Sequence, residues 1–293
     1  MKTAVMTDTN SGISVKEGRE LGVFVLPMPV LIGGASYTEG VDISSRQLFT
    51  ALSQGVEAST SQPSPAAVTE LWDGIFARGY EEIVHIPMTS GLSGSCESAM
   101  QLAQAYGGRV QVADNRRISL LQKASVLDAK YLADRGLSAA EVRARLEKNG
   151  PNAIVYIAVD TLEYLKKSGR VTAAAAAIST VMNIKPVLRI QGGKLEPVAK
   201  IRGMQRCQEK MIQLLREQLE TKFWRFPREK LLIGTAGSFG SPAEENAWRA
   251  QVQKAFPKFK VRYEPLSCSI SCHTGQNARG LAVMVLEQPM EGI

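Results

Sequence analysis

The chain has 293 residues, 44% of them apolar and 22% charged, with a formal net charge of +7. This length fills two domains more comfortably than one core, and the composition is that of a folded globular protein. No apolar run approaches the roughly 18 residues a membrane-spanning helix needs, and the positive residues are mostly dispersed, which argues against nucleic acid as a partner.

The run Met1-Lys2-Thr3-Ala4-Val5-Met6-Thr7-Asp8 is strand-like and meets an acid at once. It lacks the apolar stretch and cleavage site of a signal peptide, so a cytoplasmic protein is expected. Apolar runs at 3–6, 23–32, 83–88 and 110–113 alternate with helical patterns at about 65–78, 94–106, 117–135 and 138–149. That alternation predicts a three-layer α/β/α domain with a parallel sheet. The Gly150-Pro151 turn is the expected boundary, giving an N-terminal α/β domain at 1–151 and a C-terminal α/β domain at 152–293. In the second part a strand at 153–159 runs into Asp160, which is placed to cap the helix that follows. The alanine run 173–177 is expected in a closely packed helix, and runs 186–190 and 195–201 around Gln191-Gly192-Gly193-Lys194 read as a hairpin. A helix at about 203–222, strands near 231–236, 260–266 and 281–287, and a helix at 243–256 complete a mixed sheet with helices.

Loops follow three of the first strands, at Asp8 to Gly12, Thr89 to Ser95 and Asp114-Asn115. All three fall at the carboxyl edge of the expected sheet, where open α/β folds collect ligands. Two loops are crowded with hydroxyls: Thr60-Ser61-Gln62-Pro63-Ser64 and Thr89-Ser90-Gly91-Leu92-Ser93-Gly94-Ser95. Hydroxyl donors beside the unpaired N–H groups of a helix start can hold a carboxylate or phosphate without a buried lysine. Taken alone, Ser64 or Ser93 could equally be a helix cap. His273, in Cys272-His273-Thr274-Gly275, is expected in a loop with its imidazole free to reach a ligand, whereas His85 lies in an apolar strand and reads as a core residue.

A nucleophile elbow requires Gly-x-Ser-x-Gly, and Gly91-Leu92-Ser93-Gly94-Ser95 misses it by one position. The chain order Ser93, Asp160, His273 nevertheless matches that of α/β-hydrolases, so a serine hydrolase stays open, as does a binder of another anionic metabolite. Nucleotide-binding loops are absent from the sequence. Cys96, Cys207, Cys268 and Cys272 lack the spacing of a disulfide scaffold or a familiar zinc module, so neither disulfides nor a metal are expected. Basic residues group locally at Lys166, Lys167 and Arg170, at Lys200, Arg202 and Arg206, and around Phe223, Trp224 and Phe226. These read as solvated faces, or as a docking surface for an acidic partner or an anionic membrane.

Several ordered motifs carry a family resemblance: Thr7-Asp8-Thr9-Asn10-Ser11, Tyr37-Thr38-Glu39-Gly40-Val41-Asp42, the two hydroxyl loops, Asp160 through Arg170, Asn183-Ile184-Lys185-Pro186-Val187-Leu188, Lys200-Ile201-Arg202-Gly203 and His273-Thr274-Gly275. With these the chain resembles, nearly end to end, the DegV family of bacterial fatty-acid-binding proteins. The resemblance implies a long-chain fatty acid as bound ligand, no other cofactor, and a carboxylate held by Thr60 or Ser61, by Ser93 with Gly94, and by His273 with Thr274. It further implies a carrier without catalysis of its own. That carrier would present the carboxylate to an ATP-dependent fatty-acid kinase for phospholipid synthesis, with Arg202 docking the kinase and Arg170 near the site. The chain departs from the family pattern at Gln276-Asn277, where Pro-Gly is usual, and at Arg279, Asp114 to Arg117, Leu120-Leu121-Gln122 and Cys96. A reshaped loop at 276–279 is expected.

Overall fold

The computed structural model describes residues 2–176, 184–191 and 194–289. Met1, residues 177–183, Gly192 and Gly193, and residues 290–293 lie outside the described residues, and with them the end of the alanine run, Asn183 of the family motif and the expected hairpin's Gly-Gly link. The first part runs β1 (Thr3–Asp8), α1 (Val15–Leu21), β2 (Phe24–Leu26), β3 (Pro29–Ile32), β4 (Ala35–Thr38), α2 (Ser45–Ser53), β5 (Ala58–Thr60) and α3 (Pro65–Phe76). It continues with β6 (Glu82–Ile86), α4 (Ser95–Ala103), β7 (Val110–Val112), α5 (Leu120–Ala133) and α6 (Ala139–Asn149). The second part runs β8 (Ala153–Ala158), α7 (Glu163–Lys167), α8 (Ala173–Ala176), β9 (Ile184–Gln191), β10 (Lys194–Arg202) and α9 (Met204–Thr221). After it come β11 (Leu231–Gly237), α10 (Pro242–Ala255), β12 (Arg262–Pro265), α11 (Cys268–Thr274) and β13 (Arg279–Val285).

Strands β2-β1-β6-β7 form a parallel sheet in that order. The two-residue period of the strands sends Ala4, Met6 and Ile83 to one face, against Trp72 and Ile75 of α3 and Ala99 of α4. Val5, Val84 and Ile86 face the other way, against Val126 and Leu132 of α5 and Val142 of α6. Helices thus cover both faces, and the expected three-layer arrangement is what forms. His85 is buried on the α3 side with its ring edge-on to Trp72.

The mixed sheet has the order β10-β9-β8-β13-β11-β12, antiparallel except for the β11–β12 pair. One face packs on Met211 and Leu215 of α9 and Trp248 and Val252 of α10. The other face turns toward the first part of the chain, meeting Leu120, Leu121 and Ala124 of α5 at one place and Met88, Leu92 and Ile118 at another. Polar ties cross the same junction: Lys123 Nζ bridges Glu17 and Glu264 at 2.7 Å each, and Asn149 Nδ2 donates to the Val285 carbonyl at 2.9 Å.

Several details differ from the expectations. The run 23–32 is two strands in two sheets, because β3 pairs antiparallel with β4 and β5 in a small third sheet. The helix expected from 117 starts at Leu120, since Ser119 takes a positive φ of 55°. Asp160 caps nothing: its carboxylate pairs with Lys185 and accepts from Asn277, and the Glu163 amide donates to Thr161 Oγ1 instead. Ala173 and Ala174 are exposed rather than closely packed.

In the mixed sheet's inner strands, Gly234 pairs across from Ala282 and Ala236 from Gly280. A Cβ on Gly234 would lie 1.8 Å from Leu120 Cδ2, so α5 approaches the sheet as closely as it does only over glycine. Gly234→Ala is therefore expected to destabilise the fold by about 1–3 kcal/mol through overpacking, read as a lowered denaturation midpoint. Adding Leu120→Ala to that variant should recover part of the loss, and additive costs for the two changes would contradict the contact.

Candidate functional site

A cavity lies between the mixed sheet and the first part of the chain; the space outside its atoms is about 980 Å3 when the open solvent at its mouth is counted. Its floor is the sheet face at Val155, Ile157, Ile190, Gly234, Ala236 and Ala282. The small residues of β11 and β13 leave space that larger side chains would fill. Opposite walls come from Leu120 and Leu121 of α5 and from Met88, Leu92 and Ile118.

One side of the cavity is polar. Thr60, Ser61, Ser93, Arg170, His273 and Thr274, all proposed from sequence, line it. Thr60 Oγ1 and His273 Nε2 share a hydrogen bond of 2.7 Å. Gly94 is tied to the same place, since a Cβ there would sit 3.2 Å from Gln62 Oε1. Arg170 donates through Nε to the Leu92 carbonyl at 3.4 Å and through its guanidinium to the Ser168 carbonyl. Ser93 Oγ accepts from the Ser95 amide at 3.2 Å and donates to Ser95 Oγ at 3.0 Å. Ser61 and Gln62 are exposed, which puts this side at the surface. Arg202 is not among the lining residues; it is exposed at the end of β10.

His273 is not in a loop. It stands in the last turn of α11, one turn beyond Ser269 on the same face. The position of α11 is set by Glu39, whose buried carboxylate accepts from the Ser269 amide at 2.9 Å, from Ser269 Oγ at 2.7 Å and from Thr9 Oγ1 at 2.5 Å. Burial pushes the Glu39 carboxyl upward, partly offset by these bonds. No role for Glu39, Ser269 or Asn10 is readable from residue type alone. Their distance along the chain hides the cluster, and the only signal was that two of them fall in family motifs.

The Ser93, Asp160 and His273 relay does not form. Asp160 engages Lys185 and Asn277, while His273 engages Thr60. Asn277 adopts a positive φ of 65°, and its loop is pinned by Ser238, whose Oγ donates to the Gly275 carbonyl at 2.7 Å and accepts from the Ala278 amide at 2.9 Å. Arg279 is buried beside Glu244 and over the Phe239 ring. The four cysteines are unpaired and buried, and no metal-holding cluster occurs among the described residues. No helix among the described residues is long and apolar enough to cross a membrane.

Fold and site together define an α/β protein of two large sheets and a small third one, with an apolar cavity that is polar at one side. A family model described as "Uncharacterised protein, DegV family" matches residues 2–286, and the chain belongs to the DegV family. A DegV domain-containing protein of Deinococcus radiodurans is 29% identical over 284 residues, covering 97% of this chain and 98% of its own. A solved structure of a DegV family protein from Thermus thermophilus, described by its fatty-acid binding, is 30% identical with a TM-score of 0.86, over 98% of this chain and 100% of that one. DegV of Bacillus subtilis, described as a fatty-acid-binding protein, shares the fold at 21% identity and a TM-score of 0.83, over 97% of this chain and 99% of that one.

Burial lowers the His273 pKa to about 4, with the Arg170 guanidinium adding to the effect, and burial alone lowers that of His85 to about 3. Both imidazoles are therefore neutral in the fold at pH 7. An unfolded chain takes up these protons near pH 6.5, so the two side chains favour the fold above that pH and oppose it progressively below. The chain has two histidines, which makes the check simple: the imidazole resonances of the ligand-free protein should hold neutral positions from pH 8 to about 5.5. A titration of either ring centred near pH 6.5 would contradict the burial.

Proposed function

We propose that this protein is a carrier for a long-chain fatty acid, with the acyl chain in the apolar cavity and the carboxylate at the polar cluster. The observation that carries this is the joining of two environments in one cavity: a sheet floor of aliphatic and small residues, and at one side hydroxyls, a neutral imidazole and a cation. Each buried methylene contributes about 0.8 kcal/mol, so a chain of about sixteen carbons gains on the order of 10 kcal/mol before ordering costs. Retention then needs no covalent bond. The guanidinium of Arg170 supplies the charge complementary to a carboxylate, and Thr60, Ser61, Ser93, the Gly94 backbone, His273 and Thr274 orient it. The fatty-acid-binding descriptions of the Thermus and Bacillus relatives support the same reading.

In this role the protein is a substrate carrier in the cytoplasm, and the bound carboxylate is the nucleophile, with a partner fatty-acid kinase supplying ATP, metal and catalytic groups. The exposed position of Ser61 and Gln62 at the polar side and of Arg202 on β10 suits such docking. Trp224 is 72% exposed and is followed by the exposed Arg225 and Arg228, a face suited to transient contact with an anionic membrane.

A displacement titration with a fluorescent long-chain fatty acid tests the proposal. Ala236→Phe, which fills the floor, should weaken binding by tenfold or more on steric grounds. Ser93→Ala with His273→Ala should weaken it roughly ten- to a hundredfold through lost head-group bonds. A fluorophosphonate probe should leave Ser93 unlabelled. Affinity indifferent to both variants, or covalent labelling of Ser93, would contradict the carrier.

A further inference from the structure

Away from the head-group cluster the cavity borders a second recess, which reaches the surface at the exposed Arg116 and Pro151. Ile118, Leu121, Val155 and Ile190 line both spaces. Strand β8 gives their order: Ala153 and Ile154 line only the recess, Val155 lines both and Ile157 lines only the cavity, each residue advancing about 3.3 Å. Beyond Ala158 the chain passes through α7 to Arg170, so the recess and the polar cluster lie toward opposite ends of β8.

The four shared side chains form a seam between two clusters. Val155 and Ile190 are cross-strand partners in β8 and β9 and stand on one face of the sheet. Val155 packs with the cluster that holds Leu121, and Ile190 with the separate cluster that holds Ile118. Both strands are interior to the sheet, yet these two side chains are only half-buried. Aliphatic groups of this kind part by changing rotamer, with no hydrogen bond to break. On the recess side the lining turns basic. Arg116 and the half-buried Lys222 line it, and Lys222 Nζ donates to the Pro151 carbonyl at 2.7 Å. Among the described residues no carboxylate stands within ion-pair distance of either cation. Burial pulls the Lys222 pKa down, and the nearby Arg225 adds to the effect. Arg117 also lines the recess, but its guanidinium is buried and already committed to Ser125 Oγ and the Asn149 carbonyl at 2.8 Å each.

We infer that the cavity opens at its tail end through the seam of Ile118, Leu121, Val155 and Ile190, and that it takes long α,ω-dicarboxylic acids whose second carboxylate emerges between Arg116 and Lys222. The inference rests on the fatty-acid reading above and names a subclass of that ligand. Arg170 stands at one end of the combined space and two unpaired cations at the other. A plain acyl chain long enough to cross the seam brings a methyl end to a charged surface. A second carboxylate there stays hydrated and pairs with the cations. In a cavity closed at its tail the same carboxylate would be buried without a partner, at a cost that excludes diacids of every length. No bond in the ligand is made or broken.

Displacement titrations with a length series of saturated monoacids and α,ω-diacids test this on the wild-type chain and on Arg116→Ala with Lys222→Ala. Both substitutions are at the surface, which keeps the fold available. Short diacids should bind the wild type at least about a hundredfold more weakly than monoacids of the same length, because their second carboxylate falls among the aliphatic side chains. Once the chain spans the seam, the diacid should bind within about threefold of its monoacid or more tightly. Loss of the two cations should weaken that long diacid by about three- to tenfold and leave the monoacids unchanged. A large penalty on diacids at every length overturns the inference, as does a long diacid indifferent to the loss of both cations. Failure of monoacids and diacids alike to bind overturns the fatty-acid reading and this inference with it, a pattern distinct from the first two.

Discussion

A six-stranded sheet with two apolar faces must cover both, and this chain covers them unequally. Helices α9 and α10 seal one face with Trp248, Met211 and Leu215. The other is closed by the start of α5 and by loops at the carboxyl edge of the parallel sheet, which reach it only in places. Gly234, Ala236, Gly280 and Ala282 in β11 and β13 keep that face low. The unfilled volume is the cavity, and the proposed acyl ligand would complete the burial that the chain itself leaves open.

The polar side depends on a second constraint, the placing of α11. It is a short helix near the end of the chain, yet it packs among Val30, Ile43 and Leu48 of the first part, and Glu39 grips its first turn. His273 then meets Thr60, 213 residues away in sequence. With that imidazole neutral, Arg170 is the lining cation among the described residues, with hydroxyls beside it to orient an anion. The buried Glu39 carboxylate is tolerated because three protein donors meet it.

The layered architecture was legible because its strands are apolar runs at regular spacing and its helices carry clear caps, as at Ser64 and Ser138. The small antiparallel sheet was not. Its strands are three or four residues long, and β3 follows β2 without a break in the apolar pattern. Cys268–Thr274 reads as a loop because a seven-residue run rich in hydroxyls and thiols has no helical stripe; contact with Glu39 supplies what propensity lacks. Asp160 had the position of a cap, but Lys185 and Asn277 compete for it more effectively. The lining residues Thr60, Ser61, Ser93 and His273 could be proposed from residue type and family motif.

Native mass spectrometry of the protein purified from a bacterial host, followed by denaturation and identification of what is released, bears most directly on the carrier function. Close to one equivalent of long-chain fatty acid per chain is expected. A chain that carries no lipid, or one that releases a non-acyl anion in its place, would contradict it.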